Sequence, residues 1–379
     1  MKSQHEIKMW TPTTVVLFLI MAAGVAIIIY RLMAGLGAVT NLNDRFPWGL
    51  WIGFDVLGGV AMAAGGFLIA GAVYVLNMKK YKPIARAAIL NAFFGYLLAA
   101  TAIMLDIGVP WRIWHPVFMW QIHSIMWVVA IHVVLYTSTL AAESSPMFFE
   151  KVKMEKAAKF IERIIVPIVL FGVLLSTLHQ SSLGAVYLIV PKKLSSFWYN
   201  SQLPTLFLAS AVMMGLSMVS LETIISGKAF RHEPNMGILS GLARGTLIAS
   251  IVYLIMKLWF LIKGPGLGAA FSGTSESNMY LLEMIVGVIG PILLLLVKSV
   301  RENIKNILFV DILVIAGVLI NRMNVAIFGL YRDQSARGAS YFPTWMEFVV
   351  TLAFIAFAIV GFKLSVKYLR VLPEAETQH

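Results

Sequence analysis

The sequence contains no cysteine. Without a thiolate the chain can ligate no iron-sulfur cluster through cysteine, close no disulfide and offer no thiol nucleophile. A redox metal would have to be held by other side chains or by another subunit. Charge is scarce as well: 13% of the 379 residues are charged against 59% hydrophobic, and the mean hydropathy is +0.84. A water-soluble domain of this size could not keep so much apolar surface out of solvent, so the chain belongs in lipid. Acidic residues are the rarer charge, 18 against 30 basic, leaving a net charge of +12. The basic residues fall in short clusters between apolar stretches and not along one groove or arm, which argues against nucleic acid and for membrane topology.

Apolar windows able to cross about 30 Å of hydrocarbon fall at roughly 11–36, 49–76, 84–106, 116–141, 160–180, 204–226, 238–262, 277–299, 307–331 and 344–368. The pattern predicts an all-α integral membrane protein of about ten transmembrane helices, packed as two bundles and forming a single polytopic domain over residues 1–379. The first run, after Lys2 and Lys8, is longer than a signal-peptide core and reads as a span. The fifth is the least regular, interrupted by His179, Gln180, Ser181 and Ser182. Lys and Arg are concentrated in the segments around Lys2, Lys79, Lys151, Lys228, Lys298 and Lys367; the opposite set carries only a few, among them Arg45, Lys192 and Arg337. By the positive-inside rule both termini are cytoplasmic.

The outward segments differ in kind. Residues 41–51 (NLNDRFPWGLW), 107–120 (IGVPWRIWHPVFMW) and 331–345 are rich in Trp, Tyr, Phe and Pro. An interfacial aromatic belt explains most of these rings, and a docking surface for an extracytoplasmic partner fits their concentration on one side. Small residues recur at four-residue spacing in Gly59 with Ala63 and Ala61 with Gly65, a pattern of close helix packing.

Ionisable side chains within hydrocarbon are costly and mark proton or ligand traffic. Arg31, Asp55, Asp106, His123, His179, Lys257, Glu283, Arg322 and Glu347 are all expected in the outer halves of their helices. Such a gathering can bind a polar quinone head group and handle the protons of two-electron chemistry, because imidazole titrates near neutrality and a desolvated carboxylate approaches it. Fixed ion pairs, for example Arg31 with Asp55, are the structural alternative. In the inner half, His132, Glu143, Glu222, Arg244 and Asp311 offer a scattered route for protons, although helix-end solvation accounts more simply for Glu143, Glu222 and Asp311. Haem needs a matched histidine pair; His123 and His132, nine residues apart, fall on opposite faces of one helix, and His179 is expected nearer the outer surface than His132. The expectation is no haem and no metal site.

Five segments together resemble the NrfD/polysulphide reductase membrane-subunit family: 36–66 (LGAVTNLNDRFPWGLWIGFDVLGGVAMAAGG), 115–124 (HPVFMWQIHS), 178–184 (LHQSSLG), 321–327 (NRMNVAI) and 341–348 (YFPTWMEF). Within the family the likeness is greatest to the membrane subunits of periplasmic nickel-iron hydrogenases of the hydrogenase-2 type. The resemblance implies a haem-free, multi-pass subunit of the bacterial inner membrane. It would exchange electrons between menaquinone and a ferredoxin-like iron-sulfur partner on the outer face, with the nickel-iron small and large subunits beyond it. Such a subunit is inert alone. Asp55, His123, His179, Arg322 and Glu347 lie in the matched segments and are the first candidates for quinone binding or proton relay; Arg31, Asp106, Lys257 and Glu283 are the second. His123 or His179 is expected to contact a quinone oxygen, and Asp55 and Glu347 to exchange protons with the outer aqueous phase. The competing reading is a secondary transporter, which should show a midplane site and interrupted helices; Pro167 and Pro291 offer only weak breaks.

Overall fold

The computed structural model describes residues 7–191 and 193–372; Lys2, Lys192 and the two chain ends lie outside them. Among the described residues ten helices are long and apolar enough to span a bilayer: α1 (Pro12–Ala34), α2 (Trp51–Val75), α3 (Lys79–Asp106), α4 (Ile125–Lys151), α5 (Ile165–Ile189), α6 (Leu203–Phe230), α7 (Met236–Lys263), α8 (Ser275–Leu296), α9 (Ile304–Ser335) and α10 (Trp345–Tyr368). Local chemistry sets where many begin. The side chains of Thr11, Ser124, Asn235, Thr274, Asn303 and Thr344 each accept a hydrogen bond from a backbone N–H in the first turn that follows, satisfying donors that have no partner inside a helix. Proline opens α1 and α6, where its missing N–H costs nothing.

Two spans depart from the expected windows. α4 starts at Ile125 and not near residue 116, because Ser124 caps it and the preceding 115–123 stretch forms a short turn of helix and an exposed strap. α5 runs on to Ile189, and the polar run that was expected to interrupt it is absorbed into the helix. Ser181 and Ser182 donate to the carbonyls of Thr177 and His179, and Gln180 Nε2 donates to the Val60 carbonyl of α2 at 2.9 Å.

The helices α2, α3, α4 and α5 close one four-helix ring, and α6, α7, α8 and α9 close a second; the rings meet chiefly where α6 packs on α2 and α5. α1 and α10 pair outside the first ring and lean on α3. Small residues make the closest approaches. Gly65 lies against the Gly215 backbone where α2 crosses α6, Gly66 and Ala63 lie against Ala92 and Gly95 of α3, and Gly287 meets Gly317 where α8 crosses α9. A side chain at any of these crossings would collide with its neighbour, which is the packing reading of the small-residue spacing. Gly59 is different, since a side chain there would meet nothing within 4 Å.

Among the described residues four π-helical turns interrupt the spans: Trp51–Val56 and Gly71–Val75 in α2, Ile285–Ile289 in α8 and Asn324–Phe328 in α9. Each inserts a residue into the helical repeat and re-aims the side chains around it, a device that recurs at functional sites. The loops 35–50, 107–124, 264–274 and 336–344 share one end of the bundle, here the aromatic face. The opposite end, the basic face, carries Lys79, Lys80, Lys151, Lys153, Lys298 and Lys305.

Candidate functional site

Beneath the aromatic face, residues from four helices form a buried polar layer. Asp55 sits in the π-helical turn that opens α2 and accepts a hydrogen bond from Thr351 of α10 at 2.6 Å. Glu347 lies one turn nearer the face, in the first turn of α10, where the free N–H groups and the helix dipole favour a carboxylate. Its Oε2 accepts from the Tyr341 hydroxyl at 2.5 Å, its Oε1 lies 3.4 Å from the Asn41 amide, and its backbone carbonyl accepts from Trp51 Nε1. Tyr341 in turn accepts from the Leu50 amide at 2.8 Å, and burial together with the Glu347 carboxylate pushes its phenol above the ordinary tyrosine range. Gly49 leaves the space that the Tyr341 hydroxyl fills.

Arg31 is fully enclosed, and its guanidinium donates to the carbonyls of Leu105 and Ile107 at 2.8 and 2.5 Å. It thereby caps the C-terminal end of α3, where carbonyls lack helical partners and the dipole favours a cation. The expected Arg31 to Asp55 ion pair does not form, because each group has found a nearer partner. Asp106 closes α3 within electrostatic reach of Arg31 and Glu347. Among the described residues nothing hydrogen-bonds its enclosed Oδ1.

A second assembly occupies the other ring. Glu283, just before the π turn of α8, is 2% exposed and held by four side chains. Lys257 Nζ approaches Oε1 at 2.5 Å, Trp198 Nε1 donates to Oε2 at 3.0 Å, Asn324 Nδ2 donates to Oε2 at 2.8 Å, and Asn321 Nδ2 spans both oxygens at 3.2 Å. Arg322 donates to the Asn321 Oδ1, to Ser210 and to the Phe207 carbonyl, and its guanidinium lies on the Phe207 ring, 3.7 Å from the centroid. Lys257 and Arg322 are thus joined through Asn321 and Glu283, with the two cations held on either side of one carboxylate. A cavity of about 10 Å³ beside Glu283, Tyr253 and Asn321 has room for roughly one water molecule. Tyr187, between the two assemblies, feels both Asp106 and Arg322.

Deeper in the first ring lies a third group. His179 of α5, expected near the outer end of its helix, is ten residues before Ile189 and so about 15 Å in. Its ring stands 5.5 Å from Tyr96 and 6.3 Å from His132, and Tyr96 stacks edge-on to Tyr136 at 4.5 Å. Ser176 lies close to both phenols. Among the described residues, no hydrogen bond reaches either nitrogen of His179, the hydroxyls of Tyr96, Tyr136 and Ser176, or Oε2 of Glu143. Toward the basic face, Asp311 sits beside Ser217 and Ser220, and Glu222 beside Asn91. Glu143 and Asp311 are 6% and 2% exposed, so helix-end solvation does not account for them.

Two further expectations are corrected by the geometry. His123 is on no helix; it lies exposed in the strap before Ser124, away from the buried layer. His132 and His179, expected at unmatched depths, face one another across α4 and α5. These two helices are nevertheless tightly packed, for a side chain at Gly172 of α5 would strike Glu143 and Thr139 of α4. Asp55, Glu347, Arg31 and Asp106 do converge, and Lys257, Glu283 and Arg322 converge separately. Tyr341, Thr351, Trp198, Asn321 and Asn324 were not singled out from the sequence, being neutral residues in apolar or aromatic surroundings, although the 321–327 and 341–348 segments contain three of them.

A ten-span helical protein with paired four-helix rings and enclosed carboxylates under one face is a multi-pass membrane protein with polar chemistry inside the bilayer. Residues 38–332 match the family described as Polysulphide reductase, NrfD, and the chain belongs to that family. It is 29% identical to the probable Ni/Fe-hydrogenase 2 b-type cytochrome subunit of Escherichia coli over 92% of this chain and 89% of the relative. It is 30% identical to the menaquinone reductase integral membrane subunit of Nitratidesulfovibrio vulgaris, over 91% of this chain and 88% of the relative. To the Hdr-like menaquinol oxidoreductase integral membrane subunit of Archaeoglobus fulgidus it is 24% identical, over 89% and 88%. Ten helices and this membership make it a protein of the bacterial inner membrane, since outer-membrane spans are β-barrels.

Proposed function

We propose that this chain is the quinone-reactive membrane subunit of a respiratory oxidoreductase, exchanging electrons between menaquinone and an iron-sulfur partner docked on the aromatic face. The observation that carries the reading is the convergence of Asp55, Asp106, Glu347 and Arg31 beneath that face, with Asp106 Oδ1 left without a hydrogen-bond partner among the described residues. The names of the relatives add menaquinone as the carrier. The quinone supplies the two-electron chemistry. Asp106 and the Tyr341 to Glu347 pair then hold and move the protons that accompany it, while Arg31 fixes the end of α3 on which Asp106 stands. Asp55 is a second carboxylate on the same route. Arg322, Lys257 and Glu283 brace the adjoining ring, and the exposed His123 belongs to the docking surface with Trp111, Trp114 and Trp120.

The unit is a single polytopic domain with both termini cytoplasmic and the aromatic face outward, as the distribution of Lys and Arg favours. It binds no haem, in keeping with the close contact of α4 and α5. A nickel-iron hydrogenase is the enzyme favoured for the partner subunits, on the strength of the Escherichia coli relative. A transporter reading finds support only in the π-interrupted helices α8 and α9, and the carboxylates there are locked by fixed partners.

The test is purification of the tagged chain in mild detergent, with identification of its partners and of bound quinone and an optical spectrum. Iron-sulfur partners, extractable menaquinone and no haem band from this chain are the expected outcome. Within that complex, Asp106→Asn and Glu347→Gln are each expected to slow naphthoquinol-linked electron transfer at least tenfold while leaving the assembly intact, on the order of what a positioned proton-transfer group contributes. Unchanged rates in both variants would remove the site, and a haem band assigned to this chain would overturn the haem-free reading.

A further inference from the structure

At the basic face, the ends of α4 and α10 and the short helix Glu155–Arg163 between α4 and α5 enclose a cavity of about 500 Å³. That volume lies within the range of small-molecule sites. Its charge is unbalanced by design of the neighbours. Two of the carboxylates at its wall, Glu150 and Glu162, are both engaged by Arg86 of α3, at 2.6 and 4.0 Å. Lys151, Lys153, Lys159 and Arg370 line the same cavity, and among the described residues a single further carboxylate, Glu155, stands against them. Lys151 is drawn to the Tyr368 ring at 5.8 Å, which holds its ammonium at the wall.

The position of the cavity selects the kind of anion. It opens where two spanning helices leave the bilayer, and Phe148, Met154 and Phe160, on the segments that carry its lining, are exposed at 43%, 52% and 59%. The helix Glu155–Arg163 buries only Ala158 and is strongly amphipathic, as expected of a segment lying in the headgroup plane. A soluble anion would use the lysines and leave these apolar side chains in water. A phospholipid uses both: its phosphate meets the lysines and its acyl chains lie along the exposed apolar side chains of the same segments. We propose that this cavity binds the phosphate headgroup of an anionic phospholipid, seating α4 and α10 against one another at the membrane surface.

The experiment compares the full chain with the variant K151A/K153A/K159A, each purified from the same membranes and exchanged into micelles containing phosphatidylglycerol, phosphatidylcholine or no lipid. Native mass spectrometry counts retained lipid and a thermal melt follows stability. The expected result is that the parent retains phosphatidylglycerol and melts higher with it, and that the triple variant retains at least tenfold less. A control variant, K79A/K298A/K305A, removes exposed lysines of the same face outside the cavity and should bind as the parent does. Equal melting of parent and triple variant in phosphatidylcholine keeps the comparison independent of folding.

Equal retention by parent and triple variant overturns the site, and equal loss in the control variant reduces it to general surface charge. A melt raised as far by inorganic phosphate alone as by phosphatidylglycerol makes it a free-anion site. Binding that appears only when the chain is shortened after Leu372, removing Glu374 and Glu376, gives the cavity to the chain's own acidic end and ends the lipid proposal.

Discussion

The carboxylate of Glu283 and the imidazole of His179 are equally hidden, at 2% and 0% exposure, in adjoining helix rings, yet their surroundings are opposites. Glu283 has a hydrogen bond or ion pair from Lys257, Trp198, Asn321 and Asn324. Among the described residues His179 has none, and neither have the phenols of Tyr96 and Tyr136 beside it. A buried charge with every lone pair satisfied is a fixed strut, expensive to disturb. Polar groups of this number without protein partners call for buried water, since such groups rarely stay unpaired. The Glu283 assembly is therefore a fixed strut, whereas the His179 cluster is a place that calls for buried water. The layer of Asp55, Asp106 and Glu347 is intermediate: Asp55 and Glu347 have partners, and the enclosed Oδ1 of Asp106 has none among the described residues.

The largest effect should come from breaking the strut. Lys257→Met leaves the Glu283 charge short of its counter-ion and is expected to cost about 3–5 kcal/mol, read by unfolding in mixed micelles. The double variant K257M/E283L should recover part of that loss, because neither buried charge is then left alone; a double variant less stable than K257M would show that Glu283 does more than answer the lysine. Tyr341→Phe comes next. It removes a donor from Glu347 and an acceptor from the Leu50 amide, an expected loss of about 1.5–3 kcal/mol for a bond to a charged group. Thr351→Val, which removes the hydroxyl from Asp55, should cost about 1 kcal/mol.

The smallest effect sharpens the other side. Tyr136→Phe deletes a hydroxyl that has no protein partner among the described residues, so a change within about 0.5 kcal/mol is expected. A loss of about 1–3 kcal/mol would mean that ordered water bonds this hydroxyl as firmly as protein does, and would make the His179 cluster and the Glu283 assembly more alike than their side-chain contacts imply.

The spans, their number and the pairing into two rings were legible because hydrophobicity and small-residue spacing act over many residues at once. Depth was legible only where the helix ends were. His179 came out too shallow because its polar neighbours resembled a helix end, whereas Ser181, Ser182 and Gln180 find acceptors on or beside the helix itself. His123 came out as helical because the strap of residues 115–123 is as apolar as a span, and only the Ser124 cap marks the true start.

The partners of the site were harder still to read. Thr351 reaches Asp55 across 296 positions of sequence, and Tyr341 depends on the missing side chain of Gly49. The π turns at Trp51–Val56, Ile285–Ile289 and Asn324–Phe328 leave no mark in an apolar run, yet they place Asp55 and Asn324 and adjoin Glu283. For the Glu283 assembly the charged members Lys257, Glu283 and Arg322 were legible, and Asn321 and Asn324, three residues apart beside Arg322, are the signal that was passed over, since two carboxamides in the middle of an apolar helix need partners.

The central claim is that quinone reacts beneath the aromatic face, in the partly open layer of the first ring. It is tested most directly by a photoreactive naphthoquinone illuminated with the purified complex, followed by mapping of the labelled peptides. The account predicts label, displaced by excess menaquinone, in the segments around Asp55, Asp106 and Glu347. Label displaced by menaquinone but confined to the segments around His132 and His179 would move the quinone to mid-membrane and contradict it.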